Sequence, residues 1–288
     1  MRFLYLIFLI GFICMSYPKA AVFNVSSYLE LVGALSIVSN NGEDDIINVA
    51  KGNYVIKSPL IYKPKENKAL IIQGAGADVT IFDGANLSRI LIVDTTHLKD
   101  DSEAHITING ITFSNGNSSE IGGAVLITTK LANITVENCK FYNNSAESGG
   151  GLFIRTLAGN IAVKGNSFME NTSNGGGGAW IEADGGNIVL EGNTFEGNTA
   201  NGGGGALIWG MRVVMEGNKF SNNVANDIGG TALIYGDDVT MAKNVFISDS
   251  TTTNGSAFIW GGLLSMSGNS FFSSSNGNVA WSCVVRSD

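Results

Sequence analysis

Five charged residues of this chain could do acid–base chemistry. Arg155 precedes Glu182 and Asp184 by roughly one unit of a repeat described below, which sets one base beside two carboxylates. Eliminative cleavage of an acidic polymer needs that equipment: a basic residue to take the proton and clustered carboxylates to hold Ca²⁺. Asp237 and Asp238 form a carboxylate pair, the kind a hydrolase uses as acid and base, though Gly236-Asp237-Asp238 also reads as a turn. The two histidines, His97 and His105, lie far off in the chain, and no Ser/His/Asp or Cys/His set accompanies these residues. We assign no catalytic residue, no metal ligand and no cofactor. Gly74-Ala75-Gly76 fails as a dinucleotide fingerprint, because Val79 stands at the third glycine and a strand follows instead of a helix.

A second set is aromatic. Strand alternation aims Phe153, Trp180, Leu207, Leu233 and Phe258 outward in one column, with Trp209, Tyr235 and Trp260 in the next. Outward aromatics in rows are unusual on a soluble surface. Such rings stack on sugars or pack on a partner. Phe153, Trp180, Trp209, Tyr235, Phe258 and Trp260 are therefore the candidate ligand-binding residues, for a polysaccharide or a cell-surface protein. The competing reading is that the alternation is inverted, or that the C-terminal tail or a loop covers the rings. An ice-binding face is a weaker candidate. Its outward column of Thr107, Thr135, Thr240 and Ser265 is interrupted by Ala162, Val189 and Val214 and flanked by charges.

A repeat positions these residues. Phe113, Phe141, Phe168, Phe195, Phe220, Phe246 and Phe271 recur at separations of 28, 27, 27, 25, 26 and 25. Gly-Asn precedes most of them, and Asn144, Asn171, Asn198, Asn223 or Asp249 follows three residues later. A glycine-rich turn then leads to a strand beginning Ala124, Leu152, Ala179, Ala206, Ala232 or Ala257. This period means stacked units. Each holds two short alternating strands and nothing fit for a helix, so the units stack as coils of a parallel β-helix, about 4.8 Å apart. Ile134/Val136, Ile161/Val163, Ile188/Leu190, Val213/Met215, Val239/Met241 and Leu264/Met266 should point inward in the strand before Phe. Ile154, Ile181, Ile208, Ile234 and Ile259 should do so after the glycine turn. The Phe column should stack inside, the Asn column should bond backbone or its own copies, and Lys164 should lie between Glu137 and Glu191. Cys139 and Cys283 fall about five coils apart, beyond the roughly 7 Å Cα reach of a disulfide.

Ahead of the repeats, Ser26 to Ser39 has helical apolar spacing with Ser26 or Ser27 as N-cap. Short extended pieces follow, from Ile46–Val49 to Ile90–Val93. Met1 to Ala20 reads as a secretory leader, with Arg2 before an apolar run of 13 residues from Phe3 to Met15. No later stretch has the length and apolarity of a membrane helix. Without Arg2 and Lys19 the remaining chain has 15 basic and 25 acidic residues, a net charge of −10. That disfavours nucleic acid and anionic lipid as partners.

The paired motif Phe-x-x-Asn and Gly-Gly-Ala-aliphatic, seen in FMENTSNGGGGAWI and FEGNTANGGGGALI, resembles the polymorphic outer membrane protein repeats of chlamydial autotransporter adhesins. The likeness covers about Phe113 to Phe271. More loosely, the N-terminal part is similar to the capped start of pectin-lyase-like β-helix proteins. Together they imply an all-β, right-handed parallel β-helix of roughly nine coils with a short N-terminal capping helix. They also imply an exported, adhesin-like protein, secreted or at the cell surface. Members of that adhesin family end in an outer-membrane barrel or an anchor, for which the residues after Phe271 leave no room. Residues 21–288 are expected to form one domain, with the cap over 21–45 and the clearest repeats over 106–275. The alternative is a polysaccharide lyase or hydrolase of the same fold. Trp180-Ile181-Glu182-Ala183 resembles the WIDH signature of one lyase family, with Ala183 in place of its His. Gly236-Asp237-Asp238 matches one element of polygalacturonases, whose NTD, GHG and RIK elements are missing.

Overall fold

The computed structural model describes residues 20–248, 257–273 and 282–285. The leader assigned to Met1–Ala20 lies outside them except for Ala20, as does Asp249. One helix, Tyr28–Val38, starts the fold. Ser27 caps it by accepting from the Glu30 amide at 3.2 Å, while Glu30 accepts from the Ser26 amide at 2.7 Å. Leu31, Ala34, Leu35 and Val38 are buried, whereas Leu29 and Val32 face outward. The helix thus caps the first coils with one apolar stripe.

Everything after it is a parallel coil stacked on its neighbours, with about nine turns in all. Each turn has three strands, one more than the sequence pattern suggests. One complete turn comprises Val125–Thr129, Ile134–Glu137 and Lys140–Tyr142. The third strand is only three residues long and centres on the Phe. From Ala179 onward the first two strands fuse through the corner into single strands, such as Ala179–Glu191 and Ala206–Glu216. A further strand, Ala21–Val25, pairs in parallel with Asp45–Val49.

Register explains which residues repeat. Val125 pairs with Leu152, Leu152 with Ala179 and Ala179 with Ala206. The strand assigned to start at Ala124 therefore starts at Val125, and Ala124 occupies the place of Gly151 as the tight third residue of the corner. The inward residues are buried as alternation requires, except at the C-terminal end. There Leu264 is half-buried and Met266 exposed, since Ser282–Val285 pairs only with Phe258–Gly261 and leaves the second face without a described neighbour. Cys139 is buried and free, with burial pushing its thiol up to about 12. Cys283 pairs in register beside Ile259, several coils away.

Three side-chain columns hold the stack. The phenylalanines lie nearly parallel from Phe113 to Phe271, with Phe168–Phe195 and Phe195–Phe220 centroids 4.6 Å apart. Asn144, Asn171, Asn198 and Asn223 form a buried amide ladder, in which each Nδ2 reaches the next Oδ1 at 2.8 to 2.9 Å. The same Nδ2 caps a backbone carbonyl of the preceding coil, as Asn198 does for Phe168 at 2.9 Å. The Asn of the Gly-Asn pairs, with Asn244 after Lys243 in the same place, builds a second such ladder through Asn166, Asn193, Asn218, Asn244 and Asn269. On the surface Lys164 pairs with Glu191 at 3.0 Å, while Glu137 instead accepts from Asn109.

Candidate functional site

The two outward aromatic columns have different fates. In the inner one Phe153, Leu207 and Leu233 are 5%, 8% and 4% exposed, so they offer little surface. The glycine-rich turn lies over them: a Cβ on Gly175 would sit 2.8 Å from the Trp180 ring, and one on Gly202 would sit 3.5 Å from Leu233. Trp180 and Phe258 are half-buried. Phe153 stacks on Trp180 at 5.7 Å. These side chains form a small second core between strand and turn, as the loop-covered reading anticipated. Phe153 therefore cannot belong to an exposed face.

The outer column is open. Register aligns Thr128, Arg155, Glu182, Trp209, Tyr235 and Trp260 across successive coils. Trp209 is 54% and Trp260 44% exposed, with Tyr235 half-buried between them. The Trp209 and Tyr235 ring centroids lie 5.3 Å apart at 37°. Next to this row the chain bends at Gly210 and Gly236, where a Cβ would come within 2.7 Å of Ile188 and 2.9 Å of Val239. The bend leaves a groove of about 820 Å³ with the three rings as one wall and Met211, Asp237 and Leu263 on the other side. Asp184 stands at one end.

The candidate lyase trio sits beside that end. Arg155 Nε lies 3.3 Å from Glu182 Oε1, and its Nη2 lies 4.0 Å from Asp184. Trp180 Nε1 donates to the other Glu182 oxygen at 3.2 Å. Both Glu182 oxygens and the guanidinium are thus engaged, which makes the trio an orienting ion pair. Asp238 is held by Arg212 at 3.2 Å, while Asp237 is exposed and has no ion-pair partner among the described residues. The histidines are elsewhere: His97 Nε2 bonds the Pro64 carbonyl, and His105 Nδ1 accepts from the Asn133 amide. Among the described residues no group of three or more His, Cys, Asp or Glu is placed to hold a metal ion. No described helix is long and apolar enough to cross a membrane.

The sequence alternation finds the open row of rings. It does not find the groove, which depends on glycines at a corner whose side-chain clearance only coordinates reveal.

Comparison with known proteins adds the family. No curated protein matches the sequence. Among solved structures, the chain is similar to the ORF18 protein of Geobacillus virus E2, at 16% identity and a TM-score of 0.47. That match covers 87% of this chain, which spans 58% of the length of the viral protein. It is also similar to a mannuronic acid specific polysaccharide family 6 lyase from human gut microbiota, at 11% identity and a TM-score of 0.31, covering 93% of this chain and 92% of that one. The family model for a right handed beta helix region matches residues 36–202 and again 169–284. Since those matches run through nearly all the stacked coils, the chain belongs to the right-handed β-helix family.

Proposed function

We propose that this chain is an exported, non-enzymatic binding protein that takes a carbohydrate chain along the Trp209–Tyr235–Trp260 row. The exposure of those three rings, in register on successive coils, carries the reading. Sugar rings have apolar faces that stack on aromatic side chains, and their hydroxyls donate to carboxylates such as Asp184 and Asp237 at the groove. A row along the solenoid axis offers one platform per coil, so it suits a linear polymer better than a single small molecule. The leader-like Met1–Ala20 and the likeness of the Phe-x-x-Asn repeats to surface adhesins support export and a surface or secreted location.

A lyase or hydrolase is the competing function. It is disfavoured by the engagement of Arg155 and Glu182 with each other and by the distance of both histidines from the groove. A glycan array separates the two. Wild-type protein should bind one glycan class, and Trp209→Ala/Trp260→Ala should lose that signal by about tenfold or more. If neither protein binds any glycan, the stacking function is wrong. Unsaturated oligosaccharides released from pectin or alginate by purified protein would establish the enzyme instead.

A further inference from the structure

The groove also carries information about the charge of its ligand. Among the described residues two carboxylates, Asp184 and Asp237, line it, and no lysine or arginine does. The arginines of the neighbouring strands are in ion pairs, Arg155 with Glu182 and Asp184 and Arg212 with Asp238. Asp237 is exposed and has no ion-pair partner among the described residues. The whole chain adds a net charge of −8. A polymer of uronic acids or sulfated sugars would bring anions against Asp237 and against an Asp184 that only shares Arg155 with Glu182, with no unpaired lysine or arginine lining the groove among the described residues. Like charges in a partly enclosed groove repel more strongly than in open water, because fewer ions screen them. A hydroxyl-rich neutral sugar meets no such penalty. It lays its apolar face on Trp209, Tyr235 and Trp260 and donates hydroxyls to Asp184 and Asp237.

We infer that the ligand of this groove is a neutral polysaccharide and that acidic polysaccharides are excluded by charge. The inference rests on the stacking function proposed above and adds the chemical class of the ligand.

The test is affinity electrophoresis of the full chain in gels containing neutral polymers (glucomannan, xyloglucan, xylan) or acidic ones (polygalacturonate, alginate), at low and high salt. At least one neutral polymer should retard wild-type protein, and neither acidic polymer should do so at low salt. Trp209→Ala/Trp260→Ala should abolish the retardation, with an unchanged circular dichroism spectrum showing that the coils are intact. Asp184→Asn/Asp237→Asn removes both lining charges and keeps hydroxyl acceptors. It should retain neutral binding within about threefold and begin to admit acidic polymer, a change of roughly tenfold. Wild-type binding to polygalacturonate or alginate as tight as to any neutral polymer overturns the charge inference and leaves the stacking function standing. Binding to no polymer of either class overturns both.

Discussion

At the residue scale, two sets of asparagines form amide-to-amide ladders that run in opposite directions and in different surroundings. Asn144, Asn171, Asn198 and Asn223 are buried, whereas Asn133, Asn160 and Asn187 form an exposed ladder with comparable spacing, 2.9 to 3.0 Å. Water can replace the partners of the exposed set but not those of the buried one. In Asn198→Ala the Phe168 carbonyl and the amide and side-chain N–H groups of Asn171 lose their partner. Each orphaned buried group costs about 1–3 kcal/mol, so the variant, with three of them, should lose about 3–9 kcal/mol. Asn160→Ala should stay within about 0.5 kcal/mol, as exposed substitutions generally do. Urea unfolding of both variants measures the difference. Equal midpoints would mean that the buried ladder contributes periodicity without stability.

At the scale of elements, the corner glycines act through clearance more than through flexibility. Gly177 has a neighbour where its Cβ would go: the Gly204 carbonyl at 2.3 Å and the Thr199 carbonyl at 2.7 Å, both on the next coil. Gly192 has a positive φ of 64° but nothing within 4 Å of a Cβ. Its equivalents in other coils, Asn138 and Lys243, adopt φ of 51° and 55° with full side chains. Gly192→Ala should therefore cost about 1–2 kcal/mol, the ordinary strain of that conformation. Gly177→Ala must prise two coils apart and should fail to accumulate as soluble protein. A melting temperature of Gly177→Ala equal to that of Gly192→Ala would refute the clearance argument. These corners also mark what could be read in advance. Phe, Asn and the inward aliphatics were legible because a stacked coil repeats each role at a fixed spacing. The start of the first regular coil slipped by one because Ala124 replaces a glycine there. Ala21–Val25 escaped notice because a lone strand beside the apolar run Phe3–Met15 has no internal period of its own. The split between covered Phe153 and open Trp209 was not legible, since both alternate outward and only the path of the turn distinguishes them.

At the scale of the whole molecule, a solenoid is held together by contacts between neighbouring coils, so its ends decide where it opens. The two ends here differ. At the N-terminal end Leu31, Ala34, Leu35 and Val38 of the helix close the core, and Ile47, Tyr62 and Leu70 beneath it are fully buried. At the other end Phe271 is only half-buried, and Met266 and Phe272 are exposed. An interior coil has backbone bonds and a stacked Phe on both sides, while among the described residues the strand Ser270–Ser273 pairs on one side. Opening should therefore begin at the C-terminal coils and proceed inward, leaving the turns of Phe141, Phe168 and Phe195 to the end. Native-state hydrogen exchange reads this directly, because local opening exchanges amides at lower free energy than global unfolding does. Amides of Ala179–Glu191 should be the most protected. Those of Asp45–Val49, under the cap, should follow. Those of Ala257–Ser267 should exchange fastest among the long strands, by at least about a hundredfold relative to the centre if two coil interfaces separate them in stability. Uniform protection across all three would show that the coils unfold as one unit and that the helical cap gives its end no advantage. The same gradient bears on the groove, since Trp209 stands nearer the stable centre and Trp260 nearer the C-terminal coils. Bound polysaccharide should therefore slow exchange most in Ala257–Ser267, by bridging the last coils to those beneath them.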